Sequence, residues 1–196
     1  MERFRNEEVV SNHARDQLQC FVDLIVRWNA TINLVASFAD IWRRHIYDCA
    51  QLLPYIAGER ILDVGSGGGF PGMVLAILHP QLEWHFVEAD MRKAVFLQEV
   101  RRQLRIHCTI HHQRVEDLKG LFDTITARAF APLSSLVEVL FTKLTPTGRG
   151  VFLKGEKLSQ EIKEADKKWR FTRTIFQSYT HFNGRIIVVR NVNLLS

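Results

Sequence analysis

The densest chemistry in the chain lies in Ile61-Leu62-Asp63-Val64-Gly65-Ser66-Gly67-Gly68-Gly69-Phe70-Pro71-Gly72, an apolar run that breaks into glycines and resumes as a helical pattern. Glycine has no side chain to hold a ligand off the backbone, so Gly65, Gly67 and Gly69 clear a space in which a nucleoside can touch the main chain. Pro71 suits the first turn of the following helix, where no amide hydrogen is needed. Two ligand classes use such a turn. Gly67, Gly69 and Gly72 satisfy the G-x-G-x-x-G spacing of dinucleotide enzymes, a weak motif by itself. The turn that directly follows the strand instead reads Asp63-x-Gly65-x-Gly67-x-Gly69. That pattern is common among enzymes that use S-adenosylmethionine, where the acid lies below the charged amino-acid portion of the cofactor and no pyrophosphate is cradled.

Two further positions extend the nucleoside reading. Glu88 ends the next apolar run, where a carboxylate can accept hydrogen bonds from both ribose hydroxyls. Val115-Glu116-Asp117 follows the run after that. There Val115 can lie on an adenine face while Glu116 meets the base edge, although a helix start or a solvated acid pair reads equally well from the residues. Asp63, the glycine turn, Glu88 and Glu116 in this order are more specific than any one of them.

These residues need a scaffold that brings strand ends together. Leu18, Phe21, Val22, Ile25 and Trp28 recur at helical spacing from Gln17 to Asn29, which predicts a first amphipathic helix. A second is predicted from Ser37, read as an N-cap with Asp40 three residues on, through Ile41, Trp42, His45, Ile46 and Cys49 until Pro54 stops it. From Gly58 the pattern alternates: a strand at Arg60 to Val64, a helix from Pro71, a strand at Trp84 to Glu88, a helix from Met91 to Leu104, and a strand at Cys108 to His111. It continues with a strand at Thr124 to Ala127, a helix over Leu133 to Leu144, a strand at Val151 to Lys154 and a charged helix around Ser159 to Lys168. Parallel strands joined by helices follow, so the fold class is α/β and doubly wound. Two β-rich runs, Thr172 to Tyr179 and Arg185 to Val192, are split by Asn183-Gly184, the signature of a hairpin. One domain over 1–196 is expected, with a helical lead-in over 1–57 and an α/β core over 58–196.

Composition narrows the setting. The chain carries 26 lysines and arginines against 21 acids, a formal charge of +5 that favours an anionic partner. Apolar runs such as Met73 to Leu78 are far too short to cross a bilayer, and Met1-Glu2-Arg3-Phe4 carries early charge rather than a signal-peptide core. A cytoplasmic monomer that does not contact membrane is expected. Cys20, Cys49 and Cys108 are dispersed and read as reduced, packed thiols. His107, His111 and His112 lack a cysteine or acid to complete a zinc set, so no metal is expected. Arg92, Lys93, Arg101, Arg102 and Arg105 read as the solvated face of one helix.

Six ordered segments carry a family resemblance: Ile32-Asn33-Leu34-Val35, Trp42-Arg43-Arg44-His45-Ile46-x-Asp48, Gly69-Phe70-Pro71-Gly72, Arg114-Val115-Glu116-Asp117, Arg128-Ala129-Phe130-Ala131 and Leu153-Lys154-Gly155. In these the chain resembles the RsmG (GidB) family, bacterial methyltransferases of 16S ribosomal RNA that act on guanine N7. The resemblance implies a Rossmann-like seven-stranded sheet whose last strand pairs antiparallel, S-adenosylmethionine as cofactor, and the 16S RNA or small ribosomal subunit as partner. It puts Gly65, Phe70, Val115, Glu116 and Arg128 at the family's cofactor-binding positions. Glu88 stands where many relatives carry aspartate.

The implied chemistry asks little of the protein beyond placement. Methyl transfer from a sulfonium is an in-line displacement, and guanine N7 offers a lone pair without a proton, so no general base is assigned. The chain has no Pro-Cys dipeptide for cytosine C5 chemistry, and its fourth core strand ends in Thr126-Ala127-Arg128-Ala129 rather than in Asn-Pro-Pro-Tyr or Asp-Pro-Pro-Tyr. Arg128 fits the boundary of cofactor and base. The methionine carboxylate, guanine O6 and a phosphate all suit it, as does a structural pairing with Asp123 or Glu116. Arg44 is the better RNA candidate of its helix, since His45 falls on the apolar stripe. Lys154 suits a phosphate contact or open solvent. Methyltransferases of small molecules or proteins, nicotinamide dehydrogenases and non-catalytic RNA-binding modules compete with this reading, because fold alone does not select a substrate.

Overall fold

The computed structural model describes residues 11–195, so the segment Met1-Glu2-Arg3-Phe4 lies outside the described residues. Helix α1 (Asn12–Trp28) begins earlier than its apolar stripe requires, because the Ser11 hydroxyl accepts the Ala14 N–H at 3.1 Å and caps it. Its Leu18, Phe21, Val22 and Ile25 are buried. Asn29 then reverses the chain: its side-chain oxygen accepts the N–H groups of Leu34 and Val35 at 2.7 and 2.9 Å.

The second helix departs from expectation. Ser37 closes a local turn by accepting the Ala39 N–H at 3.1 Å, and Asp40 takes a left-handed φ of 53°. A left-handed residue interrupts a right-handed helix, so Ser37 does not cap it. The helix starts at Trp42 as a π-helical turn (Trp42–Tyr47) and ends in the short α2 (Asp48–Ala50).

The strands are β1 (Arg60–Val64), β2 (Glu83–Glu88), β3 (Cys108–His112), β4 (Phe122–Arg128), β5 (Leu144–Lys154), β6 (Trp169–Gln177) and β7 (Arg185–Leu194). They form one sheet in the order β3-β2-β1-β4-β5-β7-β6. All pairings from β3 across to β5 are parallel, whereas β7 runs antiparallel to both β5 and β6. Between them run α3 (Gly72–Leu78), α4 (Met91–Leu104), α5 (Leu133–Lys143) and α6 (Leu158–Ala165). The period-two alternation of strand side chains divides the core. Ile61, Phe86, Leu153 and Ile186 face the layer of α1, α3 and α4, while Leu62, Val87, Phe152 and Ile187 face α5 and α6.

The Asn183-Gly184 pair does not form a two-residue turn. The loop between β6 and β7 is longer, closed by Ser178 N–H on the Gly184 carbonyl at 3.1 Å and Gly184 N–H on the His181 carbonyl at 3.0 Å. Asn183 reaches out of the loop to donate to Glu156. The hairpin forms, but its tip serves the rim of a cavity described below. Among the described residues, no helix is long and apolar enough to cross a membrane.

The strand order reverses at the centre, between β1 and β4. In open α/β sheets the loops on either side of such a point part at the carboxyl ends of the strands and leave a crevice. The β1–α3 glycine turn and the β4–α5 loop border it.

Candidate functional site

Two cavities adjoin at that crevice. The first, about 290 Å³, is lined by Gly65, Gly67, Glu88, Val115 and Glu116 among others. The second, about 530 Å³, is lined by Arg44, Asp48, Arg128, Lys154 and the 178–184 loop. Ala129 and Phe130 line both and form the wall between them.

The glycine turn shapes the first cavity. Gly67 has φ +53°, and a Cβ built on it meets nothing closer than the Gly65 carbonyl at 3.7 Å. Its missing side chain therefore leaves open space in the cavity. At Gly65 the neighbour is protein instead, since a Cβ would lie 2.0 Å from the Phe130 ring. Gly69 also differs from the expectation of a cleared nucleoside site. A Cβ there meets Met73 at 2.8 Å and Phe21 at 3.1 Å, so this glycine lets α1 pack against the turn.

Glu88 lines the first cavity and anchors its turn. One carboxylate oxygen accepts the Gly67 N–H at 2.8 Å and the other accepts the Asp90 N–H at 2.8 Å. It thereby ties the β2 end to the glycine turn. Each oxygen keeps a second lone pair for a ligand hydroxyl. Val115 is buried on a 3-10 turn (Val115–Asp117) and Glu116 is exposed, paired with Arg114 at 3.5 Å. Both line the first cavity.

Asp63, Phe70 and Arg128 do not line the first cavity. Asp63 is fully buried beneath the turn, where one oxygen accepts the Thr126 hydroxyl at 2.7 Å and the other has no hydrogen-bond partner among the described residues. Burial pushes its pKa up to about 7 against the opposing pull of Thr126, Ser66 and Gly72. Phe70 is also buried, its ring 5.3 Å from Phe21 and 5.0 Å from His45.

Arg128 lies over Phe70, its guanidinium 4.5 Å from the ring centroid. It donates to the His45 ring nitrogen Nδ1 at 2.8 Å and to the Arg44 carbonyl at 3.3 Å, and stands 3.8 Å from Asp48. The structural partners considered from sequence, Asp123 and Glu116, are therefore replaced by groups of the lead-in. Asp123 instead holds the N–H groups of Glu59 and Arg60. Burial, with Arg128 beside it, lowers the His45 pKa to about 4, which keeps the ring neutral and able to accept.

Lys154 is neither solvated nor free. Its ammonium lies 2.6 Å from Glu161 and donates to the Ala131 carbonyl at 2.8 Å, while Glu161 also accepts the Leu133 N–H at 2.8 Å. This knot holds the loop that bears Phe130. Arg44 is exposed on the cavity rim, and its side chain forms no ion pair among the described residues. His111 stacks on His85, their ring nitrogens 3.0 Å apart.

The sequence reading passed over Phe130 and Asp48 as site residues. Both stand within segments that carried the resemblance, but a lone phenylalanine after a strand does not announce that it walls two cavities. Ala129 beside it has a left-handed φ of 52°, an uncommon state for a residue with a Cβ and one that turns the chain sharply at the strand end.

A family model described as GidB, rRNA small subunit methyltransferase G, matches residues 14–191. The chain belongs to this family. It is 39% identical over 189 residues to "Ribosomal RNA small subunit methyltransferase G" of Paramagnetospirillum magneticum, covering 94% of this chain and 92% of that one. The protein of the same name from Gluconobacter oxydans is 42% identical over 186 residues, at 92% and 95% coverage. Solved structures resemble this methyltransferase family member in fold. Magnesium protoporphyrin IX methyltransferase from Synechocystis, with bound S-adenosylmethionine, aligns with TM-score 0.61 at 13% identity over 90% of this chain and 98% of that one. The ribosomal protein L11 methylase of Lactobacillus delbrueckii aligns with TM-score 0.60 at 15% identity over 74% and 76%. The fold is that of the Rossmann-like methyltransferases.

Proposed function

We propose that this cytoplasmic protein transfers the methyl group of S-adenosylmethionine to N7 of a guanine in 16S ribosomal RNA of the small subunit. One observation carries the reading: in a member of this family, a glycine-and-carboxylate cavity shares the Ala129–Phe130 wall with a second cavity rimmed by Arg44 and Arg128. The residues present fit the cofactor. Gly67 leaves main chain open to a ligand, the Glu88 carboxylate suits a ribose diol, and Val115 with Glu116 suits an adenine.

When bound, S-adenosylmethionine supplies an electrophilic methyl group on a sulfonium. The chain's own residues orient the partners. The Glu88 bridge to Gly67 fixes the turn against β2, and Asp63 supports it from beneath. The Lys154–Glu161 knot fixes the β4–α5 loop and so holds Ala129 and Phe130 at the junction of the two cavities, where the methyl group has to pass directly from sulfur to N7. Arg128, held by His45 and Asp48, places a cation beside the second cavity. N7 has no proton to lose, which accords with the lack of a base requirement, and alignment supplies the rate. Arg44 on the rim is the substrate-side cation, while Lys154, paired with Glu161, acts through the loop it braces.

The test is transfer of labelled methyl from S-adenosylmethionine to isolated small subunits, to their free 16S RNA, to ribosomal proteins alone and to a small-molecule extract. The reading expects label in RNA. Label confined to protein or to small molecules overturns it.

A further inference from the structure

The second cavity contains a carboxylate that methyl transfer does not require. Asp48 faces it from α2, and its two oxygens are treated unequally. Oδ1 accepts from the Gln51 amide at 2.8 Å and from the Thr180 hydroxyl. The orientation of the Gln51 amide is itself determined, because its oxygen accepts the Tyr179 N–H at 2.9 Å and its nitrogen must then face Asp48. Oδ2 makes no hydrogen bond among the described residues; Arg128 stands 3.8 Å from it, and His181, on the same cavity, also acts on the carboxylate. The side chain is therefore locked at one end and left open at the other, on the wall of a cavity of about 530 Å³, a size that holds small ligands.

Among bases, guanine alone presents two donors, N1–H and N2–H, on its Watson–Crick edge, and an accepting oxygen read against them is selective. Adenine offers an acceptor at N1, which a carboxylate repels. With N7 turned toward the first cavity, the Watson–Crick edge of the base lies on the far side of the ring, away from Phe130. We propose that Asp48 Oδ2 accepts from N1–H and N2–H of the target guanine and so selects the base, with Gln51 and Thr180 as its positioning residues. This rests on the proposed methylation of guanine and adds the group that recognises it. Burial raises the Asp48 pKa, while Thr180, Arg128, His181 and Gln51 oppose that shift. The same partners that hold the carboxylate in place thus also favour the anion that must accept.

The lock makes a sharp variant. In Asp48→Asn, Gln51 and Thr180 still donate, so the amide oxygen takes the Oδ1 position and the amide nitrogen takes the Oδ2 position. An acceptor becomes a donor facing two donors. The experiment compares RNA carrying guanosine or inosine at the methylated position, as free 16S RNA and as reconstituted small subunits. Inosine keeps N7, O6 and N1–H and lacks only the 2-amino group.

For the wild type, inosine should lower kcat/KM by about ten-fold or more, the effect of one lost hydrogen bond to a charged acceptor. For Asp48→Asn the guanosine rate should fall and the guanosine-to-inosine ratio should collapse toward one. Its affinity for S-adenosylmethionine should stay, because Asp48 does not line the first cavity. A wild type indifferent to the 2-amino group overturns the proposal without any variant. So does an Asp48→Asn protein that is slower on both substrates but keeps the wild-type ratio, the mark of a structural carboxylate. If the wild type methylates neither guanosine RNA nor guanosine particles, the methylation reading itself fails and takes this one with it.

Discussion

Glu88→Ala is expected to damage the protein in two separable ways. The carboxylate accepts the Gly67 and Asp90 N–H groups at 2.8 Å each, in a residue only 9% exposed. Hydrogen bonds to a charged acceptor contribute about 1.5 to 3 kcal/mol each, so at the lower end the loss of both costs about 3 kcal/mol of stability. For a chain of this size, about 2 to 4 °C per kcal/mol converts that loss into a melting temperature lower by roughly 6 to 12 °C. Removing the ribose acceptor should weaken S-adenosylmethionine by a similar 1.5 to 3 kcal/mol, roughly 10- to 150-fold in Kd. Calorimetric titration measures the second effect and differential scanning calorimetry of the unliganded protein measures the first. An unchanged Kd removes Glu88 from the ribose site. An unchanged melting temperature refutes the bridge between β2 and the glycine turn.

Gly67→Val should fold and fail to bind S-adenosylmethionine, since its side chain enters open ligand space and its φ of +53° adds strain of about 1 to 2 kcal/mol; wild-type affinity by titration would displace the turn from the site. Arg44→Ala should flatten the salt dependence of RNA binding by about one unit of log–log slope while leaving cofactor affinity alone, and an unaltered slope would make this rim structural. Acid sensitivity should report on His45. Its folded pKa lies near 4 against 6.5 unfolded, so it contributes stability above pH 6.5 that is lost as pH falls toward 4. His45→Gln keeps an acceptor for Arg128 and does not titrate; denaturant melts should show it losing less stability over that interval, by on the order of 1 to 2 kcal/mol after solvent screening. Asp63 acts with the opposite sign, since its raised pKa favours the folded state at low pH and that contribution is lost as pH rises toward 7, so the difference between wild type and His45→Gln is the informative quantity.

What was legible in the sequence followed from local physics. The expected helix from Met91 to Leu104 is observed with those limits, because Asp90 caps it and Arg105 ends it in a left-handed turn. Strand β1 likewise matches its apolar run, and the alternation of apolar runs with helical spacing located β2, β3 and β4 closely. Strand β5 instead begins at Leu144, well ahead of the Val151 start expected from its apolar run, because its first half pairs at the sheet end without an apolar stretch to mark it. The glycine turn could be read because each glycine removes something that geometry demands removed. Partnerships across the chain were not legible. Nothing in the spacing joins Lys154 to Glu161, Arg128 to His45, or Gln51 to Asp48, since those pairs depend on how the lead-in and the 178–184 loop fold over the sheet. The π-helical turn at Trp42–Tyr47 was hidden by the same cause, because an apolar stripe does not reveal that Asp40 adopts a left-handed φ. The place of Phe130 between the cavities depends on its ring covering the Gly65 Cβ position, a contact between residues far apart in sequence.

The most direct measurement is the identity of the methylated atom. Small subunits from cells lacking this protein would be incubated with the purified enzyme and S-adenosylmethionine bearing a deuterated methyl group. Their 16S RNA would then be digested to nucleosides and fragments for mass spectrometry. The two-cavity account predicts one labelled product, 7-methylguanosine, at a single position, absent without enzyme and lost on Gly67→Val. Label at an exocyclic amine, a ribose hydroxyl or a ring carbon, or no label in RNA at all, would contradict it.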